Sequence, residues 1–403
     1  MAQLGPSEAR HFANAFGGGV VCMDLDKTED RFLLAGAADT TLALFDTHTG
    51  SEKAVTTMQP VFSLRRQTHP QAHKFMISSV AWYPVDTGLF VTGSHDCSVK
   101  VWDTNAVEEV VSFQLPKKVS AVAMSLVAVG HSLVAAGCED TQLRLCDPTS
   151  GAVTHVFAGH RRPVWCVSWS TYSEYEVLSG DGGGQIRVWD MRRAGCRDVL
   201  DQHNTQQRPP RPASEEEPPM GGSPAKRARR GGGTGSMHTS ASAPARLGSV
   251  SAAAATARMK ESALRAHSGA VTCVLPCPDA VSLLSAGTDG QLRLWDAQRR
   301  YNKLVGYDRT HNRALRARQL AVTDDARAVF YPTGSSINVY EVESGRLLAD
   351  MSGGHSESIN CCAYNPALHE LYSGANDHTV RVWSIGARAG DEPEGNPRRS
   401  SDG

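Results

Sequence analysis

The stretch SSVAWYPVDTGLFVTGSHDCSVKVWD, from Ser78 to Asp103, decides the fold because its pattern recurs along the chain. Its apolar runs VAW, LFVTGS and VKVW have the length and composition of β-strands, and Pro, Gly and Asp separate them as turns. The segments VLSGDGGGQIRVWD (177–190) and LLSAGTDGQLRLWD (283–296) follow the same pattern. We therefore expect strands throughout and little helix.

A tripeptide that ends in Trp-Asp, or a degenerate form of it, marks seven repeats. The copies end at Asp46, Asp103, Asp147, Asp190, Asp296, Glu341 and Ser384. Successive copies are 57, 44, 43, 106, 45 and 43 residues apart, close to the roughly 40 to 45 residues of a four-stranded propeller blade. The sequence predicts an all-β, seven-bladed β-propeller, with a long disordered insertion between blades 4 and 5.

A second regularity lies inside the repeats. His73, His160, His267 and His355 precede Trp102, Trp189, Trp295 and Trp383 by 28 or 29 residues, and Asp96, Asp289 and Asp377 stand six residues before their Trp. A buried indole N–H and a buried imidazole both need partners, and a carboxylate in a tight turn can accept from His and from backbone N–H groups. These side chains are predicted to be structural.

The repeats resemble the WD-repeat family, in which His, Ser or Thr, Asp and Trp form a buried hydrogen-bond network within each blade. The resemblance implies a WD40 β-propeller and this network for the residues above. The fourth blade departs from the pattern, because Gly183 stands six residues before Trp189 and Asp181 stands eight before it. Its network is expected to be rewired or weakened.

Composition excludes several classes of protein. Apolar residues make up 40% of the 403 residues and no run of 18 occurs, so we expect a soluble globular chain with no membrane contact. Lys plus Arg (41) balances Asp plus Glu (42), which argues against direct, sequence-specific binding of nucleic acid. The ten Cys residues follow no secretory signal and are predicted to be buried thiols. Cys273 with Cys277, and Cys361 with Cys362, lack the second half of a zinc site, so no metal or cofactor is expected.

We divide the chain into a short N-terminal segment (1–16), blades 1 to 4 (17–204), an insertion (205–259), blades 5 to 7 (260–385) and a tail (386–403). The insertion has few bulky apolar side chains, and both it and the tail are predicted to be disordered. Within the insertion, SPAKRARR (Ser223–Arg230) places four cations in five residues. Such a cluster suits nuclear import or a phosphate contact, and equally a solvated low-complexity tract.

Catalytic motifs do not occur in the sequence. No GxSxG elbow, HExxH, P-loop or GxGxxG at a strand-to-helix junction is found. The Asp and His residues recur in register with the blades, so their presence already has a structural explanation. The chain is predicted to be a non-catalytic interaction scaffold with no small-molecule substrate, since a propeller presents rigid loops around a central channel.

One blade carries a longer motif. Only the fourth extends Trp-Asp to Trp-Asp-x-Arg, with Trp189, Asp190 and Arg192. The tetrapeptide resembles the motif by which WD-repeat substrate receptors dock on the adaptor of cullin-4 RING ubiquitin ligases. Arg192 on the bottom of a propeller can equally be a solvated cation.

Longer stretches resemble the Cockayne syndrome group A family. They are VAWYPVDTGLFVTGSHDCSVKVWDTN (80–105), VWDMRRAGCRDVLDQHN (188–204), LLSAGTDGQLRLWD (283–296), YPTGSSINVY (331–340) and ELYSGANDHTVRVW (370–383). The resemblance implies a nuclear substrate receptor of a cullin-4 RING ligase in transcription-coupled nucleotide excision repair. It would act at stalled RNA polymerase II with the Cockayne syndrome group B translocase. The alternative is a WD-repeat scaffold of another nuclear complex, without ligase attachment.

The N-terminus departs from that family. Its members begin with a helical segment that inserts into the adaptor, whereas the residues before Gly17 are too few for a helix-loop-helix. Either docking relies more on the face of Asp190 and Arg192, or the chain is truncated.

The opposite rim is expected to bind the partner. Conspicuous side chains just after the blade-entry histidines are Lys74, Phe75, Arg161, Arg162, Trp165 and Glu357. Arg and Trp are enriched in binding hot spots. Against this, Trp165 begins an apolar strand and can belong to the core, and a rim arginine is often only solvated.

Overall fold

Seven small antiparallel sheets form where the repeat pattern occurs. In the computed structural model, which describes residues 4–7, 9–49, 55–205 and 264–385, these sheets are the blades of a β-propeller. The described ranges contain strands and turns and no helix. The predicted all-β, seven-bladed fold is confirmed. The insertion and the C-terminal tail, predicted to be disordered, lie outside the described residues, apart from Thr205.

The strands follow the repeats in chain order. They are β1 (Leu4–Pro6), β2 (Arg10–Phe12), β3 (Val20–Leu25), β4 (Phe32–Ala37), β5 (Leu42–Asp46), β6 (Thr56–Met58), β7 (Pro60–Leu64), β8 (Ile77–Trp82), β9 (Leu89–Ser94), β10 (Ser98–Asp103), β11 (Glu108–Gln114), β12 (Val119–Met124), β13 (Val134–Cys138), β14 (Gln142–Asp147), β15 (Ala152–Ala158), β16 (Val164–Trp169), β17 (Glu176–Asp181), β18 (Ile186–Asp190), β19 (Cys196–Val199), β20 (Val271–Pro276), β21 (Ser282–Gly287), β22 (Leu292–Asp296), β23 (Ala321–Val322), β24 (Ala328–Thr333), β25 (Ser336–Glu341), β26 (Leu347–Met351), β27 (Ile359–Asn365), β28 (Glu370–Ala375) and β29 (Val380–Ile385).

Each blade is one sheet, and its first strand is innermost. Blade 1 contains β3, β4, β5 and β7, and blades 2, 3 and 4 contain β8–β11, β12–β15 and β16–β19. Blade 5 contains β20–β22, blade 6 contains β23–β26, and blade 7 contains β27–β29 with β1. We call the face with the turns between second and third strands the top face. The bottom face carries the ends of the third strands, where each Trp-Asp stands.

The ring is closed by the N-terminal strand. β1 pairs antiparallel with β29, with Leu4 opposite Ile385 and Pro6 opposite Trp383, so the start of the chain supplies the outer strand of blade 7. β2 pairs in parallel with β6, and the Arg10 guanidinium donates to the Glu370 carboxylate at 2.9 Å. Residues before Gly17 therefore take part in the propeller.

The core lies between neighbouring blades. A glycine in the second strand of most blades leaves room for a β-branched residue that begins the next blade. A Cβ placed on Gly93 would lie 2.9 Å from a methyl carbon of Val119, and one placed on Gly180 would lie 2.6 Å from a methyl carbon of Val271. Because such separations are shorter than any real contact, glycine at these positions allows the blades to pack closely.

Four blades contain the predicted buried network. In blade 5 the Trp295 indole N–H donates to the Ser285 hydroxyl at 2.9 Å, this hydroxyl lies 2.7 Å from His267 Nε2, and His267 Nδ1 lies 3.0 Å from the Asp289 carboxylate. The same chain joins Trp102, Thr92, His73 and Asp96 in blade 2, and Trp383, Ser373, His355 and Asp377 in blade 7. The indoles and imidazoles are buried, so the polar atoms of this network have their hydrogen-bond partners inside the protein.

Blade 4 is rewired but keeps the whole network. His160 Nδ1 lies 2.9 Å from the Asp181 carboxylate and His160 Nε2 lies 2.6 Å from the Ser179 hydroxyl. That hydroxyl accepts from the Trp189 indole at 2.7 Å. Of the two expected alternatives, the structure has the rewired network: the turn brings Asp181 to the histidine from a position two residues earlier, relative to the tryptophan, than in the other blades.

Replacing Ser285 with Ala is predicted to destabilise the fold. The change leaves the Trp295 N–H and His267 Nε2 buried without a partner, and an unsatisfied buried polar group costs about 1–3 kcal/mol. Urea denaturation followed by tryptophan fluorescence measures the loss. Ser285→Thr is the matched control, because blade 2 has Thr92 at this position. Equal stability of the Ala and Thr variants would contradict the role of this hydroxyl in the buried network.

Acid is predicted to destabilise the propeller. Burial lowers the pKa of His160, His267 and His355 below the ordinary 6.5, although the partner carboxylates oppose this. Burial raises the pKa of Asp289, but the hydrogen bond and charge of His267, the Ser268 backbone N–H and the charge of Arg293 together outweigh it, so the net shift is downward from the ordinary 3.8. In both cases the unfolded chain binds the proton more readily, so stability is lost as the pH falls below about 6.5 and again below about 4.

The measurement is the urea midpoint between about pH 7.5 and pH 5.5. The midpoint is expected to fall on acidification, and His355→Gln is expected to reduce that slope by removing one titrating group. His378→Gln is the control, because this imidazole is exposed. A midpoint that rises or stays level on acidification would refute the prediction.

Candidate docking site on the bottom face

The Trp-Asp-x-Arg motif of blade 4 forms a fixed turn. β18 ends at Asp190, whose buried carboxylate accepts the Arg192 backbone N–H at 3.0 Å. The same carboxylate accepts Arg192 Nε at 2.9 Å and Nη2 at 2.8 Å, a two-point contact that sets the plane of the guanidinium. Trp189 is fully buried, whereas the Arg192 side chain is 57% exposed. Asp190 therefore orients the Arg192 guanidinium, and of the three motif residues only Arg192 is exposed to solvent.

Tyr175 forms the platform for that cation. The Arg192 guanidinium carbon lies 4.3 Å from the centre of the Tyr175 ring, within the range of a cation–π contact. The hydrogen bonds between the Asp190 carboxylate and the Arg192 guanidinium lower the pKa of Asp190 and raise the pKa of Arg192. Both groups are therefore charged throughout the physiological range. Sequence reasoning missed Tyr175, which lies close because Glu176, the next residue, stands opposite Asp190 in the sheet.

A loop of blade 3 lies beside this platform. The Glu174 carboxylate accepts the backbone N–H groups of Val129 at 3.0 Å and Gly130 at 3.1 Å, and His131 Nε2 donates to the Glu174 carbonyl at 2.8 Å. A hydrogen bond from Tyr175, with those from the two backbone groups, lowers the pKa of Glu174 to about 2. Blade 3 and blade 4 are thus joined at the bottom face.

Exposed apolar side chains lie on the same face, in the loops of blades 2 and 3. Val129 is 97% exposed and Val85, from the neighbouring loop of blade 2, is 65% exposed. Both line a groove of about 480 Å³. We call Val85, Val129, Tyr175 and Arg192 the bottom patch. An apolar area with an aromatic residue and an arginine is typical of protein-binding surfaces.

An ion network around the buried Glu176 carboxylate joins blade 5 to blade 4 beside the motif. The Glu176 carboxylate accepts from Arg197 of blade 4, from Arg300 of the blade 5 turn and from the Tyr172 hydroxyl. Arg300 Nε also lies 3.9 Å from the Asp198 carboxylate. Because Glu176 pairs with Asp190, the network borders the docking motif. We call these residues the Glu176 clasp.

The structure places the six predicted rim residues on the top face, away from the docking motif. Five are exposed, namely Lys74, Phe75, Arg161, Arg162 and Glu357, and Trp165 is half-buried in β16. Only Arg162 and Trp165 of the six line a common pocket. Lys74 and Phe75 lie at blade 2 and Glu357 lies at blade 7, so the six do not form one site.

The cysteines have the character of structural thiols. Eight of the ten are buried, while Cys97 and Cys196 are half-buried, which corrects the prediction for these two. Burial raises the pKa of Cys273 to about 11 and that of Cys277 to about 12, so both are protonated at neutral pH. Within the described ranges no three His, Cys, Asp or Glu residues are grouped as metal ligands would be. Nor does this part of the chain contain a helix long and apolar enough to cross a bilayer.

Comparison with known proteins matches four of the repeats to a family model and nearly the whole chain to one relative. The family model "WD domain, G-beta repeat" matches residues 48–103, 151–190, 259–296 and 345–384, which end in blades 2, 4, 5 and 7, the four with the buried network. The chain is 39% identical to "WD repeat-containing protein ATCSA-1" of Arabidopsis thaliana, over 96% of this chain and 90% of that protein.

Two further matches are shorter. "Radiation-sensitive protein 28" of Saccharomyces cerevisiae is 33% identical over 30% of this chain and 25% of its own length. "Ribosome biogenesis protein WDR12 homolog" of Chlamydomonas reinhardtii is 32% identical over 33% of this chain and 30% of its own length. Such partial matches reflect the shared repeat.

Proposed function

The chain belongs to the family of the WD repeat-containing protein ATCSA-1, and on this premise we propose that it is the substrate receptor of a cullin-4 RING ubiquitin ligase in transcription-coupled nucleotide excision repair. WD40 propellers are typically non-catalytic scaffolds. In the proposed role the chain recruits a protein and another subunit performs the ubiquitin transfer. The likeness over nearly the whole chain supports this role over that of a generic WD-repeat scaffold.

The Arg192 guanidinium held by Asp190 carries the proposal. Two of its nitrogens, Nε and Nη2 on one edge, are already engaged by the carboxylate, and the N–H groups of Nη1 face away from that contact. A guanidinium fixed before binding loses little side-chain entropy on docking. With Val85 and Val129 exposed on the same face, the bottom patch offers the ligase adaptor an ordered cation together with apolar side chains, the combination found in binding hot spots.

The top face is left for the recruited partner. Adaptor binding at the bottom patch would leave the channel mouth and the rim residues open to solvent. We assign to that face the Cockayne syndrome group B translocase and the stalled RNA polymerase II complex. Neither partner role requires a cofactor or a small-molecule substrate.

Adaptor binding is predicted to depend on the motif. In a pulldown of purified cullin-4 adaptor, Arg192→Ala is expected to reduce binding by tenfold or more, since loss of a hot-spot side chain costs about 2 kcal/mol. Asp190→Ala is expected to act similarly by releasing Arg192. Arg193→Ala is the matched control, because this arginine is exposed and approaches Asp190 only to 3.9 Å.

Circular dichroism must show that all variants fold. Equal binding by the wild type and both motif variants would remove Arg192 from the interface. No binding by the folded wild type would favour the alternative, a WD-repeat scaffold of another nuclear complex without ligase attachment.

Nuclear location is part of the proposal, and the basic cluster 223–230, outside the described residues, supports it. A fluorescent fusion of the full chain is expected to accumulate in the nucleus. Replacing Lys226, Arg227, Arg229 and Arg230 with Ala is expected to shift it to the cytoplasm, because import receptors recognise clustered cations. A control that replaces Ser223 and Pro224 with Ala keeps the charge. A fusion that stays outside the nucleus with the cluster intact would contradict the proposed location.

A further inference from the structure

Trp165 differs from every other tryptophan of the chain. The other six indole N–H groups donate to a protein oxygen, namely those of Trp82, Trp102, Trp169, Trp189, Trp295 and Trp383. Among the described residues the Trp165 N–H has no such partner, and its ring is half-buried. A donor left open on an otherwise packed side chain is available to a ligand.

The indole borders a pocket of about 340 Å³ between blades 4 and 5 on the top face. The turn after Asp181 forms one wall, and three consecutive glycines in it carry no side chains. A Cβ on Gly182 would lie 3.3 Å from Trp165 Nε1, and one on Gly183 would lie 3.1 Å from the Arg162 Cγ atom. The early position of Asp181 therefore leaves the turn free of side chains and the indole edge accessible.

Two arginines line the same pocket. Arg162 and Arg265 are exposed, and neither forms an ion pair with any described residue. The nearest carboxylates of the two blades are already engaged: Asp181 accepts from His160 and from the Gly183 backbone, while Asp289 accepts from Arg293 and lies within hydrogen-bond distance of His267. The pocket thus combines two unpaired cations with a neutral donor and contains no free carboxylate among the described residues.

We propose that this pocket binds a phosphorylated serine or threonine of a protein partner. A phosphate monoester carries close to two negative charges and three acceptor oxygens, which match two guanidinium groups and one indole N–H. A carboxylate has one charge and two oxygens, so it leaves one arginine uncompensated. The inference rests on the proposed use of the top face for a protein partner and names the chemistry recognised there.

The other side of Trp165 indicates the type of residue that neighbours the phosphorylated one. The ring also lines the mouth of the central channel, together with Leu315 and Arg316. Leu315 is 93% exposed, so an apolar side chain of the partner can cover both the indole and the leucine. The recognised segment therefore has an apolar residue next to its phosphoserine or phosphothreonine.

The test uses the full chain and the peptide acetyl-Ala-phosphoserine-Leu-Ala-amide, at low ionic strength. The NMR spectrum of the indole N–H groups shows each tryptophan separately, and Trp165→Phe identifies the resonance of Trp165. Titration is expected to shift that resonance to saturation. The same peptide with unphosphorylated serine, and the same peptide with Glu in place of phosphoserine, are expected to bind at least tenfold more weakly.

Arg162→Ala and Arg265→Ala are each expected to lower the affinity for the phosphopeptide about tenfold, because each removes one charge-assisted hydrogen bond. Arg161→Ala is the matched control, since it removes the same charge from an exposed neighbour that does not line the pocket. No shift of the Trp165 resonance in the millimolar range overturns the proposal. Equal binding of inorganic phosphate or of the unphosphorylated peptide, or equal weakening by Arg161→Ala, also overturns it. Adaptor pulldown probes the bottom patch, so failure there is distinguishable from failure here.

Discussion

The hydroxyl in the second strand of blades 2, 4, 5 and 7 is the interaction on which each of those blades depends. In each it accepts the indole N–H of the third strand and lies within hydrogen-bond distance of the histidine that enters the first strand. The relay therefore ties three strands and the top turn together inside a sheet. Blades 1, 3 and 6 lack this hydroxyl, and in each of them the tryptophan is replaced as well. The hydroxyl and tryptophan positions are occupied by Ala35 and Phe45 in blade 1, Ala136 and Cys146 in blade 3, and Phe330 and Tyr340 in blade 6. Joint replacement avoids the cost of a single buried, unpaired group.

The sequence predicted the repeating features and the single Trp-Asp-x-Arg motif, and it missed contacts that form only when distant strands pack together. Histidine and tryptophan at a constant separation located the relay, and a Ser or Thr ten residues before each tryptophan would have completed it. Strand β1 has no repeat signature, and its partner stands at the other end of the described chain, so no local signal identifies it. Tyr175 and the Glu176 clasp could not be found either. Their partners Arg192 and Arg300 become neighbours only through sheet register and blade packing.

Blade 4 departs from its neighbours at both ends of one hairpin. At the bottom end, Asp190 orients Arg192, and at the top end Asp181 leaves a glycine turn beside Trp165. β17 is six residues long, and at about 3.3 Å per residue the two ends are about 20 Å apart. A hairpin whose every residue is paired in the sheet keeps this distance constant. An adaptor on the bottom patch and a partner at the top pocket would thus be held by one rigid element.

The Glu176 clasp extends that rigidity to the next blade. Arg162 and Arg265 enter the pocket from blades 4 and 5, so their separation depends on how the two blades pack. At the opposite end of the same interface, the buried Glu176 pairs with Arg300 of blade 5, which is almost buried, and with the more exposed Arg197 of blade 4. Burying the charges of Glu176 and Arg300 costs desolvation energy that their attraction only partly returns, so such a network contributes little net stability. Its directional hydrogen bonds instead fix one geometry between the blades. A pocket built from two side chains on different sheets needs that constraint more than it needs additional stability.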